Sequence, residues 1–401
     1  MTKARSEEAL FSTASLGPLR LKNRFVKAAT FEGMSPSGVA SQALVEHHAE
    51  LARGGVGLTT VAYCAVAQEG RTFADQLTLS EESRPVLQEL TRRVHSHGAS
   101  ASLQLGHCGF FTKLPAGGGP PLSASRNFNA YGALRGLGFS REMGPGDIER
   151  VTQQFVASAE TAVELGFDAV ELHLGHGYLL SQFLSPATNR RRDTFGGDVV
   201  GRMKFPVDVV RRVREALPPS VAVLAKTNLS DGFRGGLELE DSVAVARALE
   251  RVGVDALVLS GGFTSRSAFF LLRGERPLSG MIAVEKSAVQ RIAMRLFGPL
   301  LVKQWPFEEL FFLPLAQQIR TAVQTPLVLL GGAVSRSNCR AAMEEGFDFV
   351  GLGRALIADP DFVHRLEQGE VERSRCNHCN QCVVEMDRGG VRCVLGEDAS
   401  S

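Results

Sequence analysis

The chain has 401 residues, 44% hydrophobic and 22% charged, which is ample for a buried core and excludes a globally disordered protein. A formal net charge of +1 with no long basic run excludes the electrostatic footprint of a nucleic-acid binder. No uninterrupted apolar stretch reaches the roughly 18 residues of a membrane helix, and the polar start MTKARSEEALFS lacks a signal-peptide core, so a soluble, cytoplasmic protein is expected, with neither nucleic acid nor membrane as partner.

In chain order, the first expected strand is RFVKAA at 24–29, followed by RGGVGLTTV at 53–61 and HGASASLQL at 97–105, which carries Gln104. The segments ELGFDAVEL at 164–172, RVGVDALVL at 251–259 and EEGFDFVGL at 344–352 repeat one device. Each is a helix end, a capping glycine (Gly166, Gly253 or Gly346) and a strand. PPSVAVLAK, ending at Lys226, and QTPLVLLGG, ending at Gly332, complete eight short apolar runs of the kind that form parallel strands covered on both faces. Helical stripes lie between them, such as Val151, Phe155, Ala159 and Ala162, or Leu239, Val243, Ala246 and Leu249. Eight alternations predict an α/β protein, a (β/α)8 TIM barrel over residues 1–370, with a short cysteine-rich C-terminal tail at 371–401. The segments 106–146, 174–198 and 261–307 are too long for ordinary connections. All three follow strand C-termini, the ligand face of a barrel, and are expected to form lid and pocket wall.

Chemistry concentrates at these exits. His173 and His176 end the fourth strand, with Tyr178 just beyond. Two histidines three apart suit a shared metal ion, as in a metal-dependent barrel hydrolase, but only Asp231 offers a carboxylate at another strand end. Hydrogen bonding to a substrate oxygen suits the pair better. A tyrosine, with an ordinary pKa near ~10, stays protonated at neutral pH and serves either as a general acid or as packing. Lys226 ends an apolar strand beside Thr227, Asn228 and Asp231, where a cation stabilises developing negative charge. Gly331-Gly332 and Gly351-Leu352-Gly353-Arg354 precede helix starts and read as a phosphate site. In the tail, Cys376, Cys379, Cys382 and Cys393 have metal-ligand spacing, for an iron-sulfur cluster or zinc, with free thiols as the alternative.

Together NRFVKAATFEGM, QLGHCG, HLGHGYLLSQFLSPATNRRRDTFGG, LLGGAVS and GLGRALIADPDF resemble the old yellow enzyme family of FMN-dependent ene-reductases, over about residues 16–370 and in that family's order. The resemblance implies FMN at the C-terminal mouth of the barrel, reduced by NADH or NADPH, and hydride transfer to the C=C bond of a small unsaturated carbonyl-type substrate. It implies that His173 and His176 hold the substrate oxygen and that Tyr178 protonates the α-carbon. Gln104 and Lys226 would meet the flavin's pyrimidine edge, and the main chain of Ala28, Ala29 and Thr30 would flank its ring. Gly332, Gly353 and Arg354 would take its phosphate. The chain departs from the family pattern at Cys108 and Phe110, where an alanine and an arginine are common, and at Phe31, near the position that often tunes the flavin. The cysteine tail resembles that of dienoyl-CoA reductase and trimethylamine dehydrogenase relatives with two gaps each one residue shorter, which leaves an iron-sulfur electron-transfer or redox-sensing role as an alternative.

Overall fold

The computed structural model describes residues 8–114 and 119–395. Eight strands run parallel and close into a barrel in sequential order. They are β1 (Phe25–Lys27), β2 (Leu58–Ala65), β3 (Ser100–Gly106), β4 (Ala169–Leu174), β5 (Ala222–Asn228), β6 (Ala256–Ser260), β7 (Leu327–Leu329) and β8 (Phe349–Leu352). Closure is made where Val350, Gly351 and Leu352 pair with Phe25, Val26 and Lys27. The expected (β/α)8 architecture is therefore present. A short antiparallel hairpin, Ala14–Leu16 with Leu19–Leu21, precedes β1, and its Leu16 and Leu21 are buried.

The strands are buried on both faces because helices cover their outer side. On the helix Pro145–Glu164 the stripe Val151, Phe155, Ala159 and Ala162 is fully buried, each large side chain contributing roughly 1.5–3 kcal/mol over exposure. On the helix Leu239–Arg251 the buried face is carried by Val245, Ala246, Ala248 and Leu249, while Leu239 and Val243 are only half-buried. The face is turned slightly from the one read in the sequence.

All three long segments cover the mouth. Residues 106–146 contain two short paired strands, Leu122–Ser123 and Arg141–Glu142, and 174–198 contains the buried helix Leu179–Leu184. Residues 261–307 form three helices, Thr264–Leu271, Leu278–Val284 and Ala288–Leu301. The last turns Val289, Ile292, Leu296, Phe297 and Leu300 to solvent. The cysteine tail lies against this insertion. Asn380 Nδ2 donates to the carbonyls of Leu272 (2.6 Å) and Glu275 (2.8 Å). The His378 ring stacks on Phe307 at 3.4 Å, and Val391 N donates to the Glu32 carbonyl at 2.7 Å. No helix among the described residues is long and apolar enough to cross a membrane.

Inside the barrel, below the mouth, lie two buried ion pairs. Lys27 Nζ meets Glu32 Oε1 at 2.5 Å, and Lys226 Nζ meets Glu171 Oε1 at 3.0 Å. Burial alone would push the Glu32 carboxyl up, but Lys27 and His48 outweigh it and hold the carboxyl at about 2. This pair adds stability above the ordinary carboxyl range that is lost as the pH falls from about 4.5 to about 2. We expect Lys27→Met, which leaves Glu32 buried without its ammonium partner, to cost about 3–5 kcal/mol in urea unfolding at pH 7, with most of the loss recovered in the Lys27→Met/Glu32→Gln double variant. A loss below about 1 kcal/mol would show that the pair does not support the barrel.

Candidate active site

β4 extends to Leu174 because His173 pairs in register with Lys226 of β5. His173 is therefore inside the strand, not beyond it, and its ring points into the barrel mouth with that of Tyr63. Gly175 N donates to His173 Nδ1 at 3.3 Å, so the ring proton of the neutral imidazole lies on Nε2. Three residues after His173 the chain turns sharply. His176 has φ +60° and Gly177 φ +77°, and a left-handed histidine persists only where its surroundings hold it. Here Asn228 Oδ1 accepts from His176 N at 3.1 Å, and Ser260 Oγ lies 2.8 Å from His176 Nε2.

The turn brings three rings together. Ring centroids of His173 lie 4.9 Å from His176 and 4.7 Å from Tyr178, and Tyr178 lies 5.0 Å from Tyr63. Burial, reinforced by the Lys226 charge, holds His176 down at about 3 and His173 well below the ordinary imidazole range, so both rings are neutral. Burial raises the Tyr178 phenol to about 12, partly opposed by the hydroxyls of Thr264 and Thr72. The group is thus a phenol at any physiological pH, beside two neutral imidazoles. Tyr63 is tied down by Gly70 O (3.0 Å) and Thr72 Oγ1 (2.8 Å) and forms wall.

Beneath the rings is a polar floor. Glu171 Oε1 accepts from Gln104 Nε2 at 2.6 Å and pairs with Lys226, whose Nζ also donates to Ala29 O at 3.3 Å. Lys226 is not an isolated cation, because an ammonium this deeply buried requires a counter-charge. Glu171 was not singled out in the sequence, where a glutamate within AVELHL gives no local sign that it points inward. Thr227, Asn228 and Asp231 do not face this floor as a group: Asn228 Nδ2 donates to Asp231 Oδ1 and to Gly262 O, both at 2.8 Å, tying loops together. Thr30 Oγ1 is buried with no partner among the described residues. Above the rings stand Phe110, Phe111, Tyr131, Phe233 and Phe263, an aromatic wall that packs with Tyr178.

At the far exits the two glycines differ. A Cβ on Gly332 (φ +90°) would meet Glu308 O at 2.7 Å and Leu310 N at 2.8 Å, so its own chain accounts for the glycine. A Cβ on Gly353 would meet only Thr30 Cγ2, at 4.0 Å, and the space beside it is open. Arg354 Nη1 donates to Asn380 Oδ1 (2.6 Å) and Arg273 O (2.8 Å), which links the exit of β8 to the tail. Cys376, Cys379, Cys382, Cys393 and Arg354 line one cavity of about 20 Å³. Left-handed His378 (φ +62°) and Asn380 (φ +58°) bend the chain on either side of Cys379.

Among the described residues, the His/Cys/Asp/Glu group of three whose ligand atoms lie within 4.8 Å of one another is Glu32, His47 and His48. The Lys27 ammonium already stands where a cation would sit there. His173 and His176 do not belong to such a group, which leaves the metal-hydrolase alternative without a third ligand. Nor do the four cysteine sulfurs close to that distance. Zn–S bonds of about 2.3 Å would need sulfurs roughly 3.8 Å apart.

Known proteins resemble the chain in sequence and in fold. Residues 9–262 match the NADH:flavin oxidoreductase / NADH oxidase family. The chain is 42% identical to a 4,4'-dithiodibutanoate disulfide reductase of Rhodococcus erythropolis, over 96% of this chain and 95% of that protein. It is 30% identical to an NADH oxidase of Thermoanaerobacter brockii over 92% of this chain but only 52% of that relative, so it spans about half of the longer protein. In structure it is similar to 2-naphthoyl-CoA reductase, with a TM-score of 0.80 at 22% identity, covering 96% of this chain and 56% of that one. The old yellow enzyme homologue of Zymomonas mobilis gives a TM-score of 0.69 at 21% identity, covering 92% and 95%. These two support the barrel fold, and with the matches in sequence they lead to one conclusion: the chain belongs to the NADH:flavin oxidoreductase / NADH oxidase family.

Proposed function

We propose that the chain is a flavin reductase that uses NADH or NADPH to reduce a small acceptor at the barrel mouth, with Tyr178 as proton donor and His173 and His176 as the acceptor's hydrogen-bonding partners. The observation that carries this is the three-ring cluster: a phenol raised to about 12 and two neutral imidazoles, packed over a polar floor. The residues at the exits suit FMN. Thr30 Oγ1 lacks a partner, Gly353 leaves a cradle open, and Gln104, Lys226 and the main chain of Ala28 and Ala29 offer polar atoms to an isoalloxazine edge. Gly353, more than Gly332, is the phosphate glycine. Arg354 reaches a phosphate through the nitrogens that Asn380 and Arg273 leave free. When bound, FMN supplies a hydride that NADH or NADPH provides.

We propose a small disulfide as the acceptor, because the likeness to a disulfide reductase runs the length of both proteins. Hydride addition to one sulfur breaks the S–S bond into a thiol and a thiolate, and the Tyr178 hydroxyl gives the thiolate its proton. Arg266 at the rim lies over Phe233 (5.1 Å) and Phe263 (5.9 Å) with no ion pair among the described residues, a cation suited to a carboxylate on the acceptor. Reduction of an activated alkene is the second reading. The same His173 and His176 donors suit a carbonyl oxygen, and Tyr178 would protonate the α-carbon once the β-carbon has taken the hydride.

The cysteines carry a further part of the reading. Four sulfurs standing around a cavity, rather than closing on a point, suit a multi-iron cluster held by Cys376, Cys379, Cys382 and Cys393 better than one zinc ion. Such a cluster exchanges single electrons.

Stopped-flow measurement of the reduced enzyme should find that Tyr178→Phe slows reoxidation by 4,4'-dithiodibutanoate by about 10²–10⁴-fold, while reduction by NAD(P)H changes little. Equal losses in both half-reactions would overturn the proton-donor assignment. In the unsubstituted enzyme the reoxidation rate should be flat from pH 5 to 9, since neither ring nor phenol titrates there, and an inflection near ~6.5 would contradict the neutral pair. A higher kcat/KM for 2-cyclohexenone than for the disulfide would move the proposal to the second reading. Metal analysis of the purified protein should return iron with acid-labile sulfide, both lost in Cys382→Ser; one zinc per chain without iron would exclude the cluster.

A further inference from the structure

Glu171 is buried in the middle of the site, and none of the steps above uses it. It faces Gln104 in the β3–β4 register and lies two residues before His173 on the same face of β4. Its side chain and that of Lys226 are each 1% exposed. Withdrawing both charges from water is costly, and pairs of this kind are often no more stable than apolar replacements. Packing therefore gives no reason for placing an ion pair under the mouth.

The geometry gives one. A single oxygen, Glu171 Oε1, takes both the Lys226 ammonium at 3.0 Å and the Gln104 amide N–H at 2.6 Å. Two consequences follow for anything resting on the floor. It meets a neutral pair where Lys226 alone would present a full positive charge. It also meets a Gln104 amide whose orientation is set, with nitrogen committed to the carboxylate and oxygen left to accept. An N–H at the edge of a flat heterocycle matches that oxygen, and negative charge gathering on the same edge during reduction would feel the masked cation.

We propose that Glu171 is a positioning residue that sets the reduction potential of the bound flavin, by cancelling the Lys226 charge and orienting Gln104. The proposal rests on FMN lying with its polar edge at Lys226 and Gln104. Removing the carboxylate exposes the ammonium, which favours reduced over oxidised flavin. Removing the ammonium instead leaves a bare carboxylate, with the opposite effect. Removing both restores neutrality.

The test is the midpoint potential of the purified holoenzyme, measured at pH 6 by dye equilibration. Glu171→Gln should raise it, favouring reduced over oxidised FMN by roughly tenfold or more, in line with a charge a few ångströms away in a partly shielded site. Lys226→Met should lower it, and Glu171→Gln/Lys226→Met should return close to the unsubstituted value. An unchanged potential in Glu171→Gln overturns the proposal and leaves the flavin site standing. Should the single glutamine variant fail to fold, a double variant displaced as far as Lys226→Met alone overturns it equally. Unsubstituted protein that binds no FMN overturns the site itself, and the proposal with it.

Discussion

A parallel barrel offers little water to the charges in its interior, so each must find its opposite within reach. Here Lys27 with Glu32 and Lys226 with Glu171 meet that condition just below the mouth. Much of the site follows from these pairs. Burial holds the two histidines neutral, with the nearby Lys226 adding to it, and Glu171 fixes Gln104. Glu32 takes the Ala62 N–H at 3.1 Å as well as Lys27. Neutral imidazoles and a neutral phenol are then the ionisation states that a site with an internally balanced floor leaves at its surface.

The floor and the wall are built differently. Residues below the mouth sit on strands, and their positions are fixed by register: Gln104 against Glu171 and His173 against Lys226. Those above sit on long connections and depend on contacts between them, as when Thr264 N donates to His176 O at 2.9 Å, or Tyr131 stacks on Phe111 at 4.7 Å. Register tolerates little variation, whereas contacts between connections are easily exchanged. The polar floor of Gln104, Glu171 and Lys226 thus sits on the rigid strands, whereas His176, Tyr178 and the aromatic wall sit on connections that are more readily changed.

The barrel was legible in the sequence because each strand is short, apolar and bounded by glycine, and because the turns at Gly166, Gly253 and Gly346 repeat. His173, His176 and Tyr178 were legible because polar rings at the end of an apolar run need somewhere to point. What escaped the sequence lay in pairings across the fold. Glu171 is one letter in an apolar strand, and its meaning appears only when Lys226 and Gln104 converge on it. Gly332 was read from the strand exit alone, and that the chain at 308–310 occupies the space of its missing Cβ appears only in the fold. The 261–307 segment was legible as an excess of chain at the mouth, but not its three helices or the contacts they make with the tail, which depend on partners far along the chain.

The tail also bears on how the barrel is closed. Val391 N donates to the carbonyl of Glu32, just after β1, and Arg354, just after β8, donates to Asn380, so one segment of the tail spans the seam at which the barrel closes. A substitution in the tail, remote in sequence from β1, is therefore felt on both sides of that seam.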